Sequence, residues 1–335
     1  MDLDEFITKE IAKGTTFPGI EILYAKGDEV LLHKQWGDAR EGEKLAKNSL
    51  FDLASLTKPI VIGTLLMMLV KQKLLDLDDK VEKYIPEFIG DYKSAITLGQ
   101  LASHSSGLPA DYKFYMNFTE LNAAYAHLFA MPLECKPGSQ MIYSCLGYML
   151  LAEIIRRVTG STLARLFADE IAAPLGMNDS LFTPAKIGRD AVPTSVNLQS
   201  IVHDGNARMF EGESGNAGLF ATASDLHKYA KMLLNQDHPL NNSVFFQNQN
   251  SISLTPRTIG WELKTSKNDD SSCGPDFAQG EIGSIGHTGF TGTSMWLNPY
   301  TKEVLIALSN RVYLSHDANI AAMKVFRRDL HGYFG

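Results

Sequence analysis

Strand-like segments gather near the two ends of this chain, and the long stretch between them reads as helical. Gly19-Ile20-Glu21-Ile22-Leu23-Tyr24 and Val30-Leu31-Leu32-His33-Lys34-Gln35-Trp36 flank a Lys26-Gly27-Asp28-Glu29 turn and predict a β-hairpin. At the other end, Thr293–Leu297 and Glu303–Ser309 are apolar runs joined by Asn298-Pro299-Tyr300-Thr301-Lys302, whose Asn-Pro step is a turn signal. Strands from both ends imply one sheet built from both termini, with a helical insertion between them.

The helices have local causes. Phe6, Ile7, Ile11 and Ala12 share one face of a helix over Asp4–Lys13, which Gly14 ends. A helix from about Lys58 to Lys73 is rich in Leu and Met, and Pro59 suits its first turn, where a missing N–H costs nothing. From Asp76 to about Thr183 the pattern is mostly helical; Leu146–Val158 carries apolar residues along its whole length, and Thr159-Gly160 stops it. Ser224–Leu234 is a further helix, capped by Ser224 or Thr222. Asn235–Asn250 and Lys264–Gly280 read as loops, and a closing helix is expected from about His316 to His331.

Composition excludes several classes. A chain of 335 residues buries roughly three quarters of its unfolded surface and needs no staple. The net charge of -7 argues against nucleic acid or an anionic membrane as partner. Cys135, Cys145 and Cys273 form no short-spaced pair, which predicts reduced thiols rather than a disulfide framework. The histidines show neither H-E-x-x-H nor close-spaced ligand pairs, so no metal and no cofactor is expected. Met1–Phe6 is acidic and is no export signal, giving a cytoplasmic expectation. The longest apolar run, Ile60–Val70, falls short of the roughly 18 residues that span a bilayer and reads as a buried helix.

One tetrapeptide carries chemistry. Ser55-Leu56-Thr57-Lys58 has the form S-x-x-K, and it occurs once. At the start of a helix, positions i and i+3 lie within side-chain reach. A serine hydroxyl is a poor nucleophile until a neighbour takes its proton, and a lysine does so when desolvation or nearby positive charge lowers its pKa. The N–H groups at a helix start can hold an oxyanion. By itself the pattern is expected about once by chance in a chain this size, with Ser55 then an ordinary cap.

Context adds to it. Phe51-Asp52-Leu53-Ala54-Ser55-Leu56-Thr57-Lys58-Pro59 resembles the nucleophile segment of class C β-lactamases and penicillin-binding proteins. Pro137–Tyr148 resembles the segment carrying that family's Tyr-x-Asn motif, with Tyr143 as the tyrosine and Cys145 where Asn is usual. A literal match at Tyr115-Met116-Asn117 lacks such flanks. Gly286–Trp296 resembles the third motif, with His287-Thr288-Gly289 in the His-Thr-Gly form. Ile96–Pro109, Val202–Ala207, Gly215–Phe220 and Leu308–Val312 extend the likeness to nearly the whole chain, and His104 within it reads as structural.

The resemblance implies an α+β fold of the β-lactamase/DD-peptidase type: an antiparallel sheet flanked by helices, plus a helical subdomain. The sheet domain is expected from residues 1–75 and 200–335, and the mainly helical one from 76–199. It implies a serine hydrolase in which Ser55 attacks an amide or ester carbonyl and Lys58 and Tyr143 share the proton work. The Ser55 and Phe290 N–H groups form the oxyanion hole, and His287, Thr288, Gly289 and Cys145 line the substrate. His287 polarises the substrate or binds its carboxylate end. The expected partner is a small molecule or peptide, such as a cell-wall-derived muropeptide or a small ester. The Asn-to-Cys change leaves open a catalytically weak penicillin- or peptide-binding protein on the same scaffold.

Overall fold

Alternation along the hairpin sets the fold's centre. In a computed structural model that describes residues 1–251, 253–265, 271, 273, 283–314 and 320–334, β1 (Gly19–Lys26) pairs antiparallel with β2 (Glu29–Arg40). β3 (Glu43–Lys44) continues that edge, while β7 (Glu262–Leu263), β8 (Ile285–Thr288), β9 (Ser294–Asn298) and β10 (Glu303–Ser309) come from the chain's other end. These seven form one antiparallel sheet in the order β3-β2-β1-β10-β9-β8-β7. The two ends meet where β1 pairs β10, in the register Ile22↔Ala307.

Both faces of this sheet are covered. Ile20, Ile22 and Tyr24 face one way, onto Phe6 and Ile7 of the helix Leu3–Ala12 and Met323, Phe326 and Leu330 of the helix Ile320–His331. Leu23 and Ala25 face the other way, into the main core with Leu226 and Tyr229 of the helix Ala223–Leu234. A strand buried at successive positions, as β1 is from Gly19 to Ala25, is the pattern of a sheet packed on both sides. The expected start of the closing helix near His316, and most of the Lys264–Gly280 loop, lie outside the described residues.

A second, small sheet joins distant segments: β4 (Phe51–Asp52), β5 (Leu181–Phe182) and β6 (Leu219–Ala221), in the order β4-β6-β5. It anchors the segment just before Ser55. The helix expected from Lys58 begins as a π-helical turn, Lys58–Gly63, and continues as an α-helix over Thr64–Lys71. The helical stretch Ala54–Lys71 is long and apolar enough to cross a membrane by length and composition, but 78% of it is buried inside the protein. It runs through the main core and packs on the helix Cys145–Thr159. Thr222, rather than Ser224, caps the helix Ala223–Leu234 by accepting the Asp225 N–H.

Candidate active site

Ser55 sits on a 3₁₀ turn, Ala54–Leu56, directly after β4. Ala54 has φ +46°, a left-handed conformation that costs an alanine on the order of 1 kcal/mol. The neighbours hold it there. The buried Asp52 carboxylate accepts the Ala54 N–H at 2.8 Å and the His203 N–H at 2.6 Å. Thr291 Oγ1 donates to the Asp52 carbonyl at 2.7 Å and Thr293 Oγ1 to the Leu53 carbonyl at 3.1 Å. Burial pushes the Asp52 carboxyl up to about 6 although both N–H bonds pull the other way.

Lys58 is fully buried, with Nζ 2.9 Å from Ser55 Oγ and 3.0 Å from the Asn216 carbonyl. It lies 5.1 Å from the centroid of the Tyr143 ring and beside the Cys145 thiol. Burial disfavours charge on this amine; negative charge on Cys145 and Tyr143 outweighs that and raises its pKa. The pull from Cys145 exists only once its thiol ionises, and burial pushes that thiol up. With a protonated thiol beside it, the amine is left facing desolvation, a hydroxyl and a carbonyl, with the charge of Asp204 still favouring the ammonium form. This is the setting in which a lysine can act as a base.

Tyr143 lies just before the helix Cys145–Thr159, which Ser144 caps by accepting the Gly147 N–H. The alternative Tyr115 is on a short helical turn, Phe114–Asn117, with its ring against Gly205. The structure thus gathers Ser55, Lys58, Tyr143 and Cys145 and leaves Tyr115 outside the cluster.

The His287-Thr288-Gly289 run is the end of β8 and forms the facing wall. A Cβ on Gly289 would lie 2.4 Å from the Leu53 carbonyl oxygen and 2.1 Å from Thr293 Oγ1, so only glycine lets this strand approach the nucleophile turn. His287 Nδ1 is 2.8 Å from the Thr288 carbonyl, which fixes the proton on Nδ1 and leaves Nε2 a buried acceptor without a partner. Burial, and then the charges of Arg257 and Lys58, hold its pKa well below the ordinary histidine value. His287 is therefore neutral near pH 7 and can accept a hydrogen bond but supplies no positive charge.

That charge comes from arginines. A cleft of about 300 Å³ is lined by Ser55, Tyr143, His287 and Thr288 together with Arg257, Arg311 and Arg327, and Glu262 is its one carboxylate among the described residues. Arg257 is 3.9 Å from Glu262, too far for a strong pair, and its Nε is buried without a partner. Arg327 donates to the Thr293 carbonyl at 2.9 Å, bracing the Gly289–Thr293 turn. A larger cavity, about 720 Å³, lies between the helices around Tyr125, Glu153 and Arg157. It holds none of the nucleophile cluster, and the smaller cleft is the candidate site on chemical grounds. No motif marks Arg257, Arg327 or Asp52 in the sequence; their roles arise from neighbours distant in the chain.

Comparison with known proteins bears on family and fold. The sequence model of one family, described as Beta-lactamase, matches residues 7–328. A protein of Bacillus subtilis (strain 168) named N-acetylmuramyl-L-alanine amidase is 29% identical, over 92% of this chain and 80% of its own length. Among solved structures, a β-lactamase/D-alanine carboxypeptidase from Yersinia pestis superposes with TM-score 0.72 at 22% identity, covering 99% of this chain and 98% of that one. A hydrolase with promiscuous acyltransferase activity superposes with TM-score 0.76 at 18% identity, covering 98% and 97%. At such identities the two structures establish the fold.

Proposed function

This chain belongs to the β-lactamase family, and from that membership together with the cleft geometry we propose how it works as a serine hydrolase. Ser55 Oγ attacks an amide or ester carbonyl carbon while its proton passes to the Lys58–Tyr143 pair. The carbonyl electron pair becomes an oxyanion, held by the Ser55 and Phe290 N–H groups. On collapse the C–N or C–O bond breaks and the pair returns the proton to the leaving amine or alcohol. Water then attacks the Ser55 ester by the same route, releasing the acid and restoring the hydroxyl. The observation that carries this reading is the fully buried Lys58 Nζ 2.9 Å from Ser55 Oγ.

The substrate class follows from the charge of the cleft. Among the described residues, three arginines against one carboxylate suit a substrate with a carboxylate near the scissile bond, and Arg257, with its unpartnered Nε, is the anchor. A cell-wall-derived peptide or muropeptide has such a group, and the name of the Bacillus subtilis relative supports that choice. Cys145 favours a second reading, in which acylation is fast and release slow, because a thiol replaces the amide donor usual at this position.

The test uses p-nitrophenyl acetate, a cephalosporin and a muramyl-L-alanyl peptide, with mass spectrometry of the protein after each. Wild type turns over at least one of them and takes up one acyl label on Ser55; Ser55→Ala does neither. Undiminished turnover by Ser55→Ala overturns the proposal. Stoichiometric labelling without release would favour the second reading.

A further inference from the structure

The segment carrying Tyr143 has no regular structure of its own, yet its hydroxyl must stay in register with Lys58 and Ser55. One residue from a different loop grips it on both sides. The His104 carbonyl accepts the Ile142 N–H at 2.9 Å, and His104 Nδ1 accepts the Ser144 N–H at 2.9 Å. The N–H groups of the two residues that flank Tyr143 thus both donate to His104. Its ring also packs at a tilt against the Tyr143 ring, with centroids 4.5 Å apart, and against Tyr148 at 5.1 Å.

This grip is held at a cost. His104 is 1% exposed and adopts φ +60°, which is uncommon outside glycine. Because Nδ1 is an acceptor, the ring proton lies on Nε2, and Nε2 is buried with no partner. A buried unsatisfied donor and a left-handed backbone each lower stability, so their coexistence in one residue beside the nucleophile cluster points to a role beyond packing. Protonating the ring would put a hydrogen on Nδ1 against the Ser144 N–H; burial, and then the charge of Arg257, oppose that.

We propose that His104 is the positioning residue of the proton-transfer pair, holding Tyr143 at Lys58 by accepting the peptide N–H groups on either side of it. This rests on the reading of Tyr143 as a proton-transfer group. His104 touches no reacting atom and acts through Tyr143 alone.

Two substitutions separate this role from a purely structural one. His104→Gly relieves the φ strain but removes the ring and its acceptor. His104→Asn tolerates the same φ and offers Oδ1 where Nδ1 stood, the same number of bonds from the backbone. Measured with p-nitrophenyl acetate, kcat of His104→Gly should fall ~10- to 100-fold with KM little changed, as misplacement by about 1 Å would cause. His104→Asn should recover most of that loss. Thermal midpoints report folding. Wild-type kcat in both variants, or equal loss in both while folded, overturns the proposal. If His104→Gly fails to fold, His104→Asn decides: a folded protein with near-native kcat supports the clamp, and one with a large loss refutes it. Tyr143→Phe runs alongside. Full activity there would sink the reading of Tyr143 itself, whereas inactive Tyr143→Phe with unimpaired His104→Gly would sink only the positioning role.

Discussion

Replacing Gly289 by alanine adds one methyl group where β8 meets the nucleophile turn. That Cβ would stand 2.4 Å from the Leu53 carbonyl oxygen, and ordinary van der Waals contact begins at 3.4 Å, so the two segments must separate by 3.4 − 2.4 = 1.0 Å. Neither side yields freely. Gly289 N–H donates to the Thr293 carbonyl at 2.8 Å and Gly292 N–H to the Gly289 carbonyl at 3.1 Å. Arg327 holds Thr293 from behind, and Thr293 Oγ1 is tied to Leu53. The displacement therefore falls on the gap between the Phe290 and Ser55 N–H groups, the proposed oxyanion hole. A misplacement of about 1 Å costs on the order of 10²-fold in rate, or about 2.7 kcal/mol of transition-state stabilisation. Overpacking should also lower stability by roughly 1–3 kcal/mol. The assay is kcat/KM on p-nitrophenyl acetate, with a thermal midpoint on the same sample and one-to-one phosphonate labelling to show that Ser55 still reacts. A folded Gly289→Ala protein with kcat/KM within about twofold of wild type would refute the claim that this strand's approach builds the hole.

Other expectations follow from charge. Asp52 has a folded pKa of about 6 against an ordinary 3.8, raised first by burial. A raised carboxyl pKa means the fold holds this proton more tightly than the unfolded chain does. Its contribution to stability is then fully present below pH 3.8 and is lost as pH rises through about 6. Asp52→Asn should remove that part of the pH dependence, read as thermal midpoints of both proteins from pH 4 to 6.5; parallel curves would contradict it. Activity should move oppositely: below pH about 6 the protonated carboxyl holds the Ala54 and His203 N–H groups less firmly, so wild-type kcat should show an acid limb there. Arg257→Ala should raise KM for a carboxylate-bearing peptide ~10- to 100-fold while leaving a neutral ester nearly unaffected, since a charged hydrogen bond contributes about 1.5–3 kcal/mol. Equal effects on both substrates would remove Arg257 as the anchor.

Local chemistry determined much of this protein. Strand-like apolar runs with turn residues between them marked the hairpin β1–β2 and the pair β9–β10. Pro59 and the apolar run after it marked the buried helix behind Ser55, and Gly160, at φ +67°, ends the helix after Tyr143. The motif segments around Ser55, Tyr143 and His287 were legible because each is short and continuous. Capping was half legible: Thr222 and Ser224 both suit a helix start, and only the backbone path shows that Thr222 meets the Asp225 N–H.

What the tertiary structure decided is everything that depends on desolvation and on partners far apart in sequence. Nothing next to His287 foretells that burial keeps it neutral and leaves the positive charge of the cleft to Arg257, Arg311 and Arg327. Asp52 and His203 are 151 residues apart, and His104 and Ser144 are 40 apart, yet these bonds fix the nucleophile turn and the Tyr143 segment. A side chain's type and its spacing to near neighbours are written in the sequence. Its protonation state and its orientation depend on the dielectric and on the hydrogen-bond partners that folding assembles around it.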